Sequence, residues 1–414
     1  MTHSLSNKFL WVQSSDIQNL ISALSYPNHV FAFVGGCVRD SLLNLPINDI
    51  DIASNFTPQE NMNILTKAGY KVIPSGIKYG TITLVLNNIN YEITSLRADI
   101  KTDGRHAEVL YTKDFKIDAE RRDFSFNALY LNPKTLEITD YFNGISDLKN
   151  AAINFIGNAN ERISEDYLRI LRYFRFLKLI KSTFTENKNP SEELVAILQK
   201  NAPKLSLLSA ERVFYEIFKI ITKNNHNNSL SYILLLMDKC SALQIILKNN
   251  YLLNNIKNVD LLITTLEKFK ILNDEETFIA VLGFILNNPA KLDFLNVNSY
   301  ANKINNIIEI KNLIIKLRLN ETFEFTNLAI NFGFNEAILA TLCVACGSKN
   351  LYNIYLNMAQ QLFEKQKLVF PVNGQDLIDL KIPAGAQIGE HLKKLKQLFY
   401  ANSTLSKQDL LKKL

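Results

Sequence analysis

The sequence predicts an α/β (α+β) head with a small mixed sheet, followed by an extended all-α region. Three observations carry that reading. Glycine and short alternating β-branched segments concentrate in the first 145 residues. After about Gly157 the apolar period becomes 3.6, glycine thins out, and Leu, Ile, Lys and Asn dominate. The chain has 414 residues, too many for one ordinary core, and length over ~150 suggests two to three domains.

The elements follow in order. His29 to Val34 is apolar and ends in Gly35-Gly36, as a strand does before a tight turn. Val38 to Leu45 and Pro58 to Ala68 carry helical patterns. Asn48 to Ala53 alternates with period two, and Thr81 to Leu86 and Tyr91 to Leu96 are two further strands around a turn at Asn87 to Asn90. Tyr167 to Ile180, Ala210 to Thr222, Leu230 to Lys239 and Glu276 to Leu286 read as amphipathic helices. The main boundary falls near Ala151. A second lies near Phe370, where Pro371, Gly374, Pro383, Gly385 and Gly389 interrupt the helical texture.

Composition bounds the function. Hydrophobic residues are 47% and charged residues 21%, which fits a soluble globular chain rather than a disordered one. The net charge of +6 permits a polyanionic partner without demanding one. Four cysteines in such a length exclude a disulfide scaffold. Cys343-x-x-Cys346 lies in an apolar helical stretch with no second pair and no partnered histidines, so zinc is not expected and buried thiols are. The five histidines are scattered and form no His-Asp doublet, which argues against an appended metal phosphohydrolase. Met1 to Ser15 has no arginine and no long apolar run, so no signal or transit peptide is expected. No stretch reaches 18 apolar residues, so no membrane association is expected and the default address is cytoplasmic.

The segment that carries chemistry is Val34-Gly35-Gly36-Cys37-Val38-Arg39-Asp40, followed by Asp49-Ile50-Asp51. Carboxylates at i and i+2 on a strand point to one face. There they make a rigid pair of hard oxygen ligands of the kind Mg²⁺ takes together with waters and substrate phosphates. The two glycines let backbone approach an anion, and the amides of the following helix and Arg39 would face phosphates.

These residues resemble the nucleotidyltransferase head of the DNA polymerase β superfamily. More closely they resemble the class II tRNA nucleotidyltransferases (CCA-adding enzymes) and the bacterial poly(A) polymerases. Further segments match in the family's order: Gly80-Thr81-Ile82-Thr83, Tyr91 to Arg97, a flexible-loop segment Asp103-Gly104-Arg105, and Arg121-Arg122-Asp123-Phe124-Ser125-Phe126-Asn127-Ala128. They continue with Glu165-Asp166-Tyr167-Leu168-Arg169 plus Arg172 and Arg175, with Ser209-Ala210-Glu211-Arg212 plus Glu216, and with short matches at Gly374 to Leu377 and Pro383 to Gly385. The match is dense over about residues 28 to 220. Asn44, Asn48, Tyr79, Ser125 and Phe126 depart from the family's usual residues without removing a reacting group.

The resemblance implies nucleotidyl transfer: a terminal 3′-hydroxyl attacks the α-phosphate of CTP or ATP, and pyrophosphate leaves. Asp49 and Asp51 are the implied catalytic metal ligands, with Mg²⁺ as cofactor. Glu92 is either a third carboxylate or a strand residue paired with Arg97. Gly35, Gly36, Arg39, Arg122, Asp123 and Asn127 are the implied contacts to ribose and phosphates.

Asp166 and Arg169, expected three apart on one helix face, can read a base edge. A carboxylate accepts from the exocyclic amino group of cytosine or adenine while a guanidinium donates to the ring nitrogen. Guanine and uracil place a carbonyl where that amino group would be, so a protein pair could select C and A without a nucleic-acid template. The plain alternative is an i,i+3 surface salt bridge. Arg172 and Arg175 continue the helix, either as a solvated basic face over an aromatic core or as phosphate contacts.

Four segments follow: a catalytic head over 1–150, a base-selecting and RNA-binding neck over 151–224, a helical body over 225–369, and a C-terminal tail over 370–414. The tail carries seven lysines against four acidic residues and suits a tRNA backbone. The expected activity is CCA addition to tRNA. The rivals are poly(A) synthesis, partial CC or A addition, and a catalytically inactive RNA-binding protein.

Overall fold

Seven short strands form one mixed sheet in the order β3-β4-β5-β2-β1-β8-β9. They are β1 (Phe31–Val34), β2 (Asp49–Ser54), β3 (Val72–Gly76), β4 (Thr81–Leu86), β5 (Ile89–Ser95), β8 (Leu129–Leu131) and β9 (Ile138–Asp140). A separate two-stranded ladder pairs β6 (Arg97–Thr102) with β7 (Ala107–Tyr111). The structure, a computed structural model, describes residues 7–414 except 88, 103–106, 185–188, 224–228, 272, 290–291, 296–299 and 317–321. The Asp103-Gly104-Arg105 segment lies outside the described residues. Its flanks, read as loop from the sequence, are backbone-paired from Arg97↔Tyr111 to Thr102↔Ala107.

The chain divides into two compact units, 1–205 and 206–414. In the first, the strands sit among helices α1 (Ser15–Leu24), α2 (Gly36–Leu42), α3 (Pro58–Lys67), α4 (Phe115–Glu120), α5 (Gly144–Lys149), α6 (Ala159–Glu165), α7 (Leu168–Thr183) and α8 (Glu192–Asn201). β1 is interior and buried along its whole length. β2 alternates exposed, buried, half-buried, buried over Asp49 to Ile52, so its isoleucines pack inward and its two aspartates turn to the opposite face. β1 and β2 are antiparallel with Val34 opposite Asp51, whereas β2 and β5 are parallel with Asp51 opposite Glu92. The helix after Thr57 starts where the sequence dictates: a Thr57–Glu60 capping box with proline in the first turn. Asn44, at a position where glycine is usual in the resembled family, has φ of 57°. Asparagine is among the few side chains that tolerate this left-handed backbone.

In the head, Gly144 is required by close approach rather than by φ. A Cβ on Gly144 would lie 2.4 Å from the carbonyl oxygen of Ser125 and 2.9 Å from Cα of Phe126. The start of α5 therefore packs directly on the turn that carries Asn127. Asp140 fixes that start by accepting from the amides of Gly144 and Ile145, at 2.9 and 3.0 Å. Gly144→Ala is expected to force the two backbones apart and cost ~1–3 kcal/mol, readable as a lower urea midpoint. It should also lower activity, because Asn127 moves with the turn.

The second unit is helical. Asp274–Ile285 and Phe334–Gly347 are buried almost all round. Lys311 is buried and caps the end of the first of these by donating to the carbonyls of Gly283, Phe284 and Leu286. Cys343 and Cys346 are buried, with their sulfurs directed at Ala280 O and Thr265 Oγ1. Burial pushes these thiols up to about 12 and about 11. After Phe370, one long helix (Ala386–Ala401) and two short ones (Gly374–Asp379 and Lys407–Leu411) close on Val372, Leu377, Leu395, Phe399 and Leu410. Among the described residues no helix is long and apolar enough to cross a membrane.

Candidate active site

Asp49 and Asp51 share a face of β2, and register sets Glu92 of β5 beside Asp51. Burial pushes the Asp51 carboxyl up to about 6. Arg122 opposes that rise, and the negative charges of Glu92 and Asp49 add to it. Three carboxylates crowd one end of the sheet, which is the electrostatic condition for a divalent cation. Among the described residues no three His, Cys, Asp or Glu side chains form a complete metal cage. An open pair of hard oxygens suits Mg²⁺, which keeps waters and phosphate oxygens in its shell.

Gly35 lies against this pair. Its φ is 75°, and a Cβ there would sit 3.3 Å from Asp51 Oδ2 and 3.5 Å from Arg122 Nη1. Gly35 leads into α2, whose first residue is Gly36. Arg39 does not project freely toward this opening. Its Nε and Nη2 grip Asp40 at 2.8 and 2.9 Å, and its Nη1 donates to Asn127 Oδ1 at 2.7 Å. Asn127 in turn donates to Asp123 Oδ1 at 3.0 Å, and Arg172 reaches Asp123 Oδ2 at 2.6 Å. The sequence-derived residues Arg39, Asn127, Asp123 and Arg172 are thus one continuous chain. Burial would raise the Asp123 carboxyl, but Arg172 and the bonds from Asn127 and Phe124 N outweigh it and bring it to about 2. Phe176 lies under three guanidiniums, with Arg39, Arg172 and Arg175 at 4.9, 5.5 and 4.3 Å from its ring centre.

Arg122 lies half-buried behind Gly35. It bonds Asp118 Oδ2 at 3.1 Å, Tyr130 Oη at 3.2 Å and the Asn127 carbonyl at 3.3 Å. Asp118 also takes Arg121 Nη2 at 2.7 Å and Tyr130 Oη at 2.7 Å. Sequence reasoning missed Asp118, Tyr130 and Gly144. Asp118 stands four residues before Arg122, one helical turn, which is the signal that could have found it. Gly144 left no signal, since its close contact is made only in the folded chain.

Asp166 and Arg169 are placed differently from expectation. Asp166 and Arg169 do not share a helix face, because α6 ends at Glu165. Asp166 is extended (φ −152°, ψ 105°), and α7 starts at Leu168. Asp166 stands at the start of α7, with Oδ1 accepting from Leu168 N at 3.1 Å. Its short side chain competes for backbone amides, which favours helix ends over interiors. Arg169 lies one turn into the junction and bonds Glu165 Oε2 at 2.6 Å.

A mixed sheet bearing paired carboxylates beside a glycine turn, braced by buried arginines and followed by helices, defines a nucleotidyltransferase head with a helical region. A family model described as Poly A polymerase head domain matches residues 31–154. The CCA tRNA nucleotidyltransferase 1, mitochondrial, of Mus musculus is 33% identical over 397 residues, covering 95% of this chain and 88% of that protein. With human, zebrafish and Oceanobacillus iheyensis relatives the match spans about half of each protein. The Thermotoga maritima CCA-adding enzyme complexed with tRNA_CCA has the same fold. Its TM-score is 0.69 at 22% identity, over 99% of this chain and 97% of that one. The Bacillus stearothermophilus CCA-adding enzyme in complex with CTP is similar over 94% of both chains, with TM-score 0.63 and 22% identity. The chain belongs to the CCA tRNA nucleotidyltransferase family, whose members use a divalent metal.

Proposed function

We propose that this protein adds CCA to the 3′ end of tRNA from CTP and ATP without a nucleic-acid template, releasing pyrophosphate. The observation that carries the reading is the similarity to the mouse enzyme along 95% of the chain, with Asp49 and Asp51 intact. Mg²⁺ is the proposed metal, held by Asp49 and Asp51, and it would steady the charge that develops on the phosphates. Gly35 and Gly36 let the triphosphate approach the sheet end. Arg122, Asp123, Asn127 and Arg39 shape the wall that ribose and phosphates meet. Arg172 and Arg175 extend its positive potential, and Glu92 adds to the negative field around Asp51. The segments 1–150, 151–224, 225–369 and 370–414 keep their proposed roles as head, neck, body and tRNA-binding tail. The cytoplasm is the proposed compartment, although the mouse relative's name places that protein in mitochondria.

Base choice rests on Asp166 and Arg169. Asp166→Ala and Arg169→Ala should each lose ~1.5–3 kcal/mol on CTP and ATP, about ten- to a hundredfold. UTP and GTP should lose little. The CTP-to-UTP ratio of kcat/KM is the measurement, and an equal loss on all four nucleotides would make the junction purely structural.

One observation favours a second reading: the matched head is named for poly(A) polymerases. Purified protein given tRNA lacking its 3′ end and each nucleoside triphosphate separately decides between the two. CTP alone should be incorporated and ATP alone should not. Long oligo(A) made from ATP on any RNA would replace CCA addition with poly(A) synthesis.

A further inference from the structure

The turn between α6 and α7 holds two guanidiniums with different tasks. Arg162 Nη1 donates to Glu165 Oε2 at 2.5 Å, and its Nη2 donates to the carbonyls of Arg121 and Arg122 at 2.6 and 2.9 Å. Both hydrogens of that Nη2 are therefore spent on protein. Nη1 and Nη2 are thus committed to protein acceptors, and the side chain serves as a strut inside the fold.

Arg169 Nη1 donates to the Arg162 carbonyl at 2.6 Å and to Glu165 Oε2 at 2.6 Å, and its Nη2 donates to the Arg121 carbonyl at 3.3 Å. Its Nη1 has no hydrogen left for a nucleobase. Nε and the remaining Nη2 hydrogen form the edge a ring-nitrogen acceptor can meet. The direction of that edge is set by three acceptors: the carbonyls of Arg162 and Arg121, and Glu165. The Arg162 side chain holds the last two.

We propose that Arg162 is a positioning residue for base selection. Its side chain fixes the angle between the Arg122–Asp123 arm, which it grips through two backbone carbonyls, and the donor edge of Arg169, which it orients through the shared acceptors Glu165 and the Arg121 carbonyl. The inference rests on the reading of Arg169 as a base-contacting residue. Arg162 itself touches no substrate. Discrimination between hydrogen-bond patterns depends on the angle at which donors meet the base, so loosening this strut harms selectivity before it harms phosphoryl chemistry.

The test compares Arg162→Lys, Arg162→Met and Glu165→Gln in the full chain, with thermal unfolding measured alongside. Lysine has no planar fork and cannot hold both carbonyls and Glu165 together, and methionine keeps bulk without any donor. The expected result is a fall of about tenfold in kcat/KM for CTP and ATP in Arg162→Lys. A larger fall is expected in Arg162→Met. UTP and GTP should change less, so the CTP-to-UTP ratio narrows while metal dependence stays that of the wild type. Glu165→Gln should narrow the same ratio, because the amide holds Arg169 less tightly. A folded variant that loses activity equally on all four nucleotides, or keeps its ratio, overturns the proposal. So does loss of the fold in all three, since the junction would then be a stability element. A wild-type protein with no preference for CTP and ATP would instead sink the base-selection reading itself.

Discussion

Asp51→Asn is expected to abolish nucleotide addition while leaving the protein as stable as the wild type, or more so. The two effects have separate causes. Losing one charged ligand removes several kcal/mol of transition-state stabilisation, on the order of a thousandfold in rate. Stability moves the other way. Burial lifts this carboxyl to about 6, with Glu92 and Asp49 adding to the rise against Arg122, so its ionised form is held at a cost at neutral pH. Asparagine keeps the shape and removes the charge. Asp49→Asn, at the more exposed position, should abolish activity with little effect on unfolding. Steady-state incorporation of CTP and a thermal melt on each variant check both halves. Wild-type turnover with unchanged metal dependence would refute the ligand assignment.

The second large effect is on folding. Asp118→Asn is expected to destabilise the protein by ~2–4 kcal/mol, because it leaves two half-buried guanidiniums without the buried counter-charge they share. Burial by itself would raise the Asp118 carboxyl. Arg122 and Arg121 outweigh that and, with Tyr130, hold it at about 2. A carboxylate held below its ordinary 3.8 contributes stability that is fully present above that value and is lost as pH falls through about 2. Asp123, also held at about 2 by Arg172 against its burial, acts in the same window. Urea midpoints of the wild type should therefore fall steeply between about pH 4 and pH 2. Asp118→Asn should start lower and fall less. Equal pH slopes in the two proteins would show that Asp118 is not held by its arginines in solution.

Residues with local signatures were readable in advance. Gly35-Gly36 before a helix, Asp49-x-Asp51 on an alternating strand, and the helices Ala210–Thr222 and Leu230–Lys239 stand at their expected residues. What escaped depends on partners distant in sequence. Strands β3, β8 and β9 are too short or too irregular in pattern to announce themselves, and they form because neighbouring strands supply their hydrogen bonds. The expectation that Arg39 faces phosphates met a side chain gripped by Asp40 and Asn127, the latter 88 residues away. The helix expected to carry Asp166 breaks there, because a carboxylate that can accept from a backbone amide two residues on favours a helix start over a helix interior.

The measurement closest to the central claim is 3′-end sequencing of a tRNA substrate that stops at its discriminator base. The substrate is incubated with the wild-type protein, Mg²⁺, and CTP and ATP together. The account predicts products ending in CCA, with extension ceasing there. A ladder of adenosines, or products that stop after two cytidines while ATP is present, would contradict it.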